Sequence, residues 1–366
     1  MKKKRSTYLA VILVLGLLFP MIQQVTKLVY VRPLSGKLPV DSTQVSNSWW
    51  NGDLQKQLET YASDSSALHP ACVRLRNQLE FSLFDKLNAQ DIYESNGIFY
   101  RYSHATYNEE HAFVGMEKIH RQVKRLAEFN KQWQREGKRV YVVITSSKLH
   151  YYRDQLPEWN KTNSRNTNYI QYKKALLAAG IDVLDADSWF LERKRKDGIP
   201  TMSKGGVHWT LYGGALAIDS LIKRYNSDQK TDYQQVKMAF EPSDKIYPED
   251  VDAVNLCNLL YPPQETGLKL IHFPAPEHPK QRLRPVVISD SYFNVIAWTP
   301  LHAQVLDPET PFYYYYQTRF TAADPVGKKF TKQQVKSDIS SADCIIIITD
   351  IQNLEQFGFG FIENVE

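Results

Sequence analysis

Val140-Tyr-Val-Val-Ile-Thr145, closed by Ser146-Ser-Lys148, is the stretch on which the fold turns. It is β-branched and continuously apolar, the pattern of a parallel strand covered on both faces rather than of a strand with one wet face. Just upstream, residues 113–136 place Met116, Ile119, Val123, Leu126 and Phe129 on one side of a helix. That helix stops at Gly137, where glycine can take the left-handed cap. The alternation continues with a helix over 169–179, Gly180-Ile-Asp-Val-Leu184, a helix over 211–225, Val286-Val-Ile-Ser-Asp290 and Cys344-Ile-Ile-Ile-Ile-Thr349. Helix and strand in this order predict an α/β three-layer sandwich with a mainly parallel sheet.

Upstream of this core, Asn96-Gly97 between two short apolar runs predicts a hairpin, and residues 54–61 and 72–87 read as amphipathic helices, the second with leucines at 75, 79, 83 and 87. The amino terminus has another character. Lys2-Lys-Lys-Arg5 precedes a chargeless stretch from Ser6 to Thr26, close to the roughly 20 residues of helix that cross a bilayer core. No small-x-small cleavage pattern follows Phe19, so an uncleaved signal anchor is expected in preference to a signal peptide. The positive-inside rule then puts residues 6–26 across the inner (cytoplasmic) membrane as a single pass, with the rest facing the periplasm or cell exterior. The expected organisation is an anchor over 1–28, a Pro/Ser/Gly/Lys-rich linker over 29–48 and an α/β domain over 49–366. A polar stretch of weak periodicity, about 226–284, is expected to be an insertion over one edge of that domain.

Composition narrows the chemistry. The 366 residues are 43% hydrophobic, enough for a substantial core, and four of the five net positive charges lie in Lys2–Arg5. A nucleic-acid partner therefore has no electrostatic support. Cys72, Cys257 and Cys344 are far apart and form no zinc-spaced cluster, so neither a metal site nor a disulfide scaffold is expected, and Cys344 reads as a buried thiol. No cofactor is expected.

In open α/β sheets ligands gather at the carboxyl ends of the strands. Three polar segments belong there: Thr145-Ser-Ser-Lys148, Ser289-Asp290-Ser291 before Tyr292, and Gly205-Gly-Val-His208-Trp-Thr210 at the entry to a helix. A serine at a strand-to-helix turn can use backbone N–H groups to hold an oxyanion, and a histidine in reach can take its proton. Singly, each segment also reads as a helix cap or a packed histidine. Their combination in this order favours the reactive reading.

Four stretches are similar to one family. Asn96-Gly-Ile-Phe-Tyr100 matches its G-x-L-F entry. Residues 143–157 match its P-x-K strand end followed by Y-x-x-x-L-P. Lys204-Gly-Gly-Val-His-Trp-Thr-Leu-Tyr-Gly-Gly-Ala215 matches D-x-H-W-t-x-x-G-A, and Ile288-Ser-Asp-Ser-Tyr292 matches G-D-S-F. On these motifs the chain resembles the SGNH-hydrolase-like periplasmic proteins of polysaccharide O-acetylation, the AlgX/AlgJ or DHHW type. The resemblance implies acyl transfer in which Ser291 is the nucleophile, His208 the general base and the Ser291 N–H an oxyanion donor. It also implies a polysaccharide substrate and a membrane-bound O-acyltransferase as acetyl supplier.

The sequence departs from the family in having Gly206 where an aspartate stands two residues before the histidine, and Ser289 where the nucleophile block has glycine. Asp185 and Asp187, just after a predicted strand, are the candidate replacement acids, equally readable as solvated residues or as a helix cap for Ser188-Trp189, with a Ser-His dyad as the alternative. Asp290 is expected to brace the turn. Lys148 and Trp209 are candidate substrate contacts, and Tyr313–Tyr316 reads as a half-buried strand or as a stacking face for a glycan. Three functions are compatible with these residues: an O-acetyltransferase, a catalytically weak binding and assembly component, and a carbohydrate esterase.

Overall fold

The computed structural model describes residues 14, 18–19, 22–23, 25–36, 52, 54–55, 68–101, 103, 107–155, 166–196, 198–241, 246–265 and 267–364. The expected anchor, linker and helix over 54–61 fall largely outside them. Among the described residues no helix is long and apolar enough to cross a membrane. By its internal contacts the chain forms two compact units, Met1–Ile92 with Val254–Pro263, and Tyr93–Ala253 with Gln264–Glu366.

In the first unit, helix α1 (His69–Phe84) corrects one reading of the sequence. Its leucine face, Leu75, Leu79 and Leu83, is exposed, whereas Arg74 and Asn77 are buried. The Arg74 guanidinium donates to the carbonyls of Arg32 and Pro33 at 2.6 and 2.7 Å, and the Asn77 amide donates to that of Cys257 at 3.0 Å. Polar side chains that find backbone acceptors can occupy an interior face, which periodicity alone cannot foresee.

The second unit carries the sheet. Its hairpin, β1 (Ile92–Ser95) and β2 (Ile98–Arg101), turns at Asn96 and Gly97, both at positive φ. There follow α2 (Met116–Gln134), β3 (Val140–Thr145), α3 (Lys148–Tyr151), α4 (Asn168–Ala178), β4 (Asp182–Asp185), α5 (Ala186–Lys194) and α6 (Leu211–Gln229). Next come β5 (Ala239–Glu241), α7 (Asp252–Leu256), β6 (Leu270–His272), β7 (Pro285–Ser289), α8 (Asn294–Ala297) and α9 (Pro300–Val305). Strands β8 (Phe312–Tyr314), β9 (Thr318–Thr321) and β10 (Asp324–Lys328), then α10 (Lys332–Ser341) and β11 (Cys344–Asp350), complete the sheet. The order is β10-β9-β8-β7-β11-β3-β4, parallel from β8 to β4, with β9 and β10 antiparallel at one edge.

Strand pleat assigns the core. Tyr141, Val143, Val287, Ile346 and Ile348 pack on one face with Trp209 and the apolar side of α6. Val142, Ile144, Val286, Ile288, Ile345 and Ile347 pack on the other, against α2, α4 and α10. This is the α/β/α sandwich expected from the continuous apolar runs, and every residue of β3, β7 and β11 is buried. Of the tyrosine run, Tyr313 and Tyr314 lie in β8, while Tyr315 and Tyr316 turn away at φ 46° and 50°.

Ile347 sits in the central strand between Val142 and Ile288 and is fully buried. Ile347→Ala is expected to cost about 2–5 kcal/mol, because the sheet cannot collapse around the missing carbons. Urea melts followed by circular dichroism measure it; a loss under about 0.5 kcal/mol would contradict this account of the core.

Candidate active site

Ser291 opens a single 3-10 turn, Ser291–Phe293, at the carboxyl end of β7. The buried Asp290 carboxylate fixes that turn by accepting from the backbone N–H of Tyr292 at 3.1 Å, from that of Asp350 at 2.7 Å and from the Asn353 amide at 2.9 Å. Burial pushes the Asp290 carboxyl up, against the pull of these donors. Asp290 thus braces the turn and leaves Ser291 partly exposed.

His208 arrives on the segment entering α6. Thr210 caps that helix, accepting from the Gly213 N–H at 3.1 Å, and the fully buried Trp209 donates its indole N–H to the Tyr292 carbonyl at 3.0 Å. The Tyr292 ring meets both neighbours edge-on, at 5.2 Å from His208 and 5.5 Å from Trp209, and its hydroxyl donates to the Ser146 carbonyl at 2.9 Å. Serine turn and histidine segment are therefore pinned to the same aromatic ring. His208 Nε2 lies 2.8 Å from Ser291 Oγ.

The other imidazole nitrogen faces Asp252. His208 Nδ1 lies 2.9 Å from Asp252 Oδ2, while Oδ1 accepts from the N–H of Val207 at 2.6 Å and of Ala253 at 2.8 Å. With a carboxylate at Nδ1, the proton belongs on Nδ1 and Nε2 is left to accept from the serine hydroxyl. Burial works to raise the Asp252 carboxyl, but the His208 hydrogen bond and charge, the Val207 N–H and the Lys148 cation outweigh it and hold it below the usual range. Hydroxyl, imidazole and carboxylate in this order form an arrangement in which the imidazole can take the serine proton.

Residues 99–259 match the family model described as the SGNH hydrolase-like domain of acetyltransferase AlgX. The match includes His208 and Asp252, with Ser291 beyond its end. Among solved structures the chain is similar to the O-acetyltransferase domain of Pseudomonas putida AlgJ, at 12% identity and TM-score 0.47, over 75% of this chain and 99% of that one. It is also similar to Bacillus cereus PatB1, at 12% and 0.43 over 73% and 98%, and to Pseudomonas aeruginosa AlgX, at 12% and 0.44 over 75% and 66%. No curated protein matches the sequence.

Asp185 and Asp187, the two acids expected from sequence, are engaged elsewhere. Asp185 caps α5, accepting from Ser188 N–H at 3.1 Å and Tyr169 hydroxyl at 2.9 Å, and pairs with Lys173. Asp187 is buried against His150 Nδ1 at 3.0 Å and the Ser146 hydroxyl at 2.9 Å, and Glu109 holds the other His150 nitrogen at 2.5 Å. The two candidate substrate contacts are corrected likewise. Lys148 is buried and spends its ammonium on backbone carbonyls, and Trp209 is a packing residue with no exposed surface.

Asp252 was missed because it lies in the polar stretch read as an insertion, 44 residues after the histidine it serves. The only local signal is the acid-rich helix start Pro248-Glu-Asp-Val-Asp252. The structure also explains Gly206. A Cβ there would stand 2.6 Å from Ser203 Oγ and 2.7 Å from the Asp250 carbonyl oxygen, so the family aspartate has no room. Gly206→Asp is accordingly expected to destabilise the fold by about 1–3 kcal/mol through overpacking. A thermal melt checks this, and an unchanged or raised midpoint would refute the steric account.

Proposed function

We propose that this chain is an extracytoplasmic O-acetyltransferase acting on the hydroxyls of a polysaccharide. The observation that carries the reading is the continuous Asp252–His208–Ser291 relay, with 2.9 and 2.8 Å links, at the carboxyl edge of the sheet. The AlgX-type match of residues 99–259 supports the acetyl group as cargo. His208 Nε2 takes the Ser291 proton as Oγ attacks the acetyl carbonyl, and the Asp252 carboxylate compensates the imidazolium that forms. The Ser291 N–H, at the start of its turn, serves in this reading as an oxyanion donor. Collapse of the tetrahedral state returns the proton to the departing group and leaves acetyl on Ser291. A sugar hydroxyl, deprotonated by the same imidazole, then takes the acetyl and regenerates the serine. Because Asp252 supplies the acid that Gly206 lacks, the binding-only alternative loses the feature that favoured it.

The remaining parts of the reading come from the amino terminus and the family resemblance. Residues 6–26 hold the chain in the inner membrane, and a membrane-bound O-acyltransferase delivers the acetyl group. Alkaline extraction of membranes containing the full chain is expected to leave it in the pellet, and removal of residues 6–26 to release it. Release of the intact chain would refute the anchor.

The chemistry is tested with p-nitrophenyl acetate as donor and short oligosaccharides as acceptors. Ser291→Ala and His208→Ala are expected to abolish acetyl transfer. Asp252→Asn is expected to lower kcat by about 10⁴, the cost of losing the orienting acid in the best-studied serine protease. Asp185→Asn is expected to stay within about threefold of wild type, as befits a residue outside the relay. Full activity in Ser291→Ala would refute the proposal, and acetate release with no acetylated sugar would turn it into an esterase.

A further inference from the structure

Lys148, the first residue of α3, is 2% exposed, and among the described residues no carboxylate is its hydrogen-bond partner. Its ammonium donates to three carbonyls, those of Phe99, of Lys204 at 2.8 Å and of Gly206. An ammonium has three N–H bonds, so its capacity is filled by backbone alone. Two of these carbonyls belong to the irregular segment leading to His208. The Lys204 and Gly205 N–H groups donate to Glu265 at 2.6 and 3.1 Å, and the Gly206 N–H to Ser203 Oγ at 2.6 Å. The next N–H, that of Val207, goes to Asp252.

The Gly206 carbonyl and the Val207 N–H are the two ends of one peptide unit. Lys148 holds its oxygen and Asp252 holds its N–H, while the other Asp252 oxygen holds His208. We propose that Lys148 is a positioning residue of the relay: with Asp252 it grips the 206–207 peptide from opposite ends, and through that peptide it sets the place of the His208 imidazole. The proposal rests on the reading of Asp252, His208 and Ser291 as the reacting groups. It also accounts for a buried cation without a hydrogen-bonded counter-ion, because a charged donor on the carbonyl makes the same peptide's N–H a better partner for Asp252.

Burial lowers the Lys148 ammonium to about 7, with Asp252 and Glu265, the charged groups acting on it, pulling the other way. Above that pH the amine loses its charge and one of its three donors, so the grip weakens as pH rises. Wild-type kcat is therefore expected to fall along an alkaline limb near pH 7.

Lys148→Met keeps the buried stem without the charge. In the full chain it is expected to lower kcat on the order of 10²-fold, the scale of a misplaced catalytic group, with KM within about twofold and no alkaline limb near pH 7. The second measurement needs no variant. In wild-type protein with ¹⁵N-labelled histidine and lysine, the downfield His208 Nδ1–H resonance is expected to move along the Lys148 Nζ titration. This readout decides the matter if Lys148→Met does not fold. It also separates the two proposals, since it needs no turnover and stands even if Ser291→Ala retains activity. A resonance indifferent to the Lys148 titration, wild-type kcat and pH profile in Lys148→Met, or a raised KM at unchanged kcat would each overturn the assignment.

Discussion

The site depends on how the Asp252 carboxylate divides its two oxygens. One oxygen takes the backbone N–H of Val207 and Ala253, and the other takes His208 Nδ1, so the group that orients the imidazole also fastens the chain carrying it. A carboxylate with three donors is costly to rotate, and the imidazole inherits that rigidity. This hold matters because residues 204–207 belong to no helix or strand. Their buried polar backbone has to be satisfied side chain by side chain, through Glu265, Ser203, Lys148 and Asp252.

The parallel sheet supplies the other half of the geometry. With β11 inserted between β7 and β3, the turn after β7 lies beside the end of β11, and the Asp350 N–H braces Asp290, the residue before Ser291. Tyr292 then reaches the end of β3 through Ser146. Serine turn and histidine segment, 83 residues apart in sequence, are locked against one aromatic ring, and the Trp209 hydrogen bond ties them directly. The tryptophan beside the histidine thus acts in packing and alignment, and the threonine after it caps α6.

The strands were legible because burial on both faces leaves a signature that local side chains must carry. Val140–Thr145 was read with its observed bounds, and the strands at β7 and β11 to within one residue at either end. The leucine face of α1 misled for the complementary reason: Arg74 and Asn77 turn inward to distant carbonyls, and nothing in the spacing of apolar residues records where a carbonyl will be. Lys148 and Trp209 were recognisable as residues of the site, but their burial places them behind it rather than in contact with a substrate.

From sequence alone come the layered fold, fixed by apolar periodicity, and the local settings of a serine just after one strand and a histidine just before one helix, fixed by turn and cap chemistry. Both are short-range properties, in which a few consecutive residues determine backbone path and side-chain direction. The tertiary structure alone decided which acid meets His208. A side chain at 206 is barred by the Asp250 carbonyl and Ser203, and a helix start from a distant polar segment brings Asp252 to the vacant side of the ring. That choice is a matter of packing between segments far apart in the chain, and no local pattern encodes it.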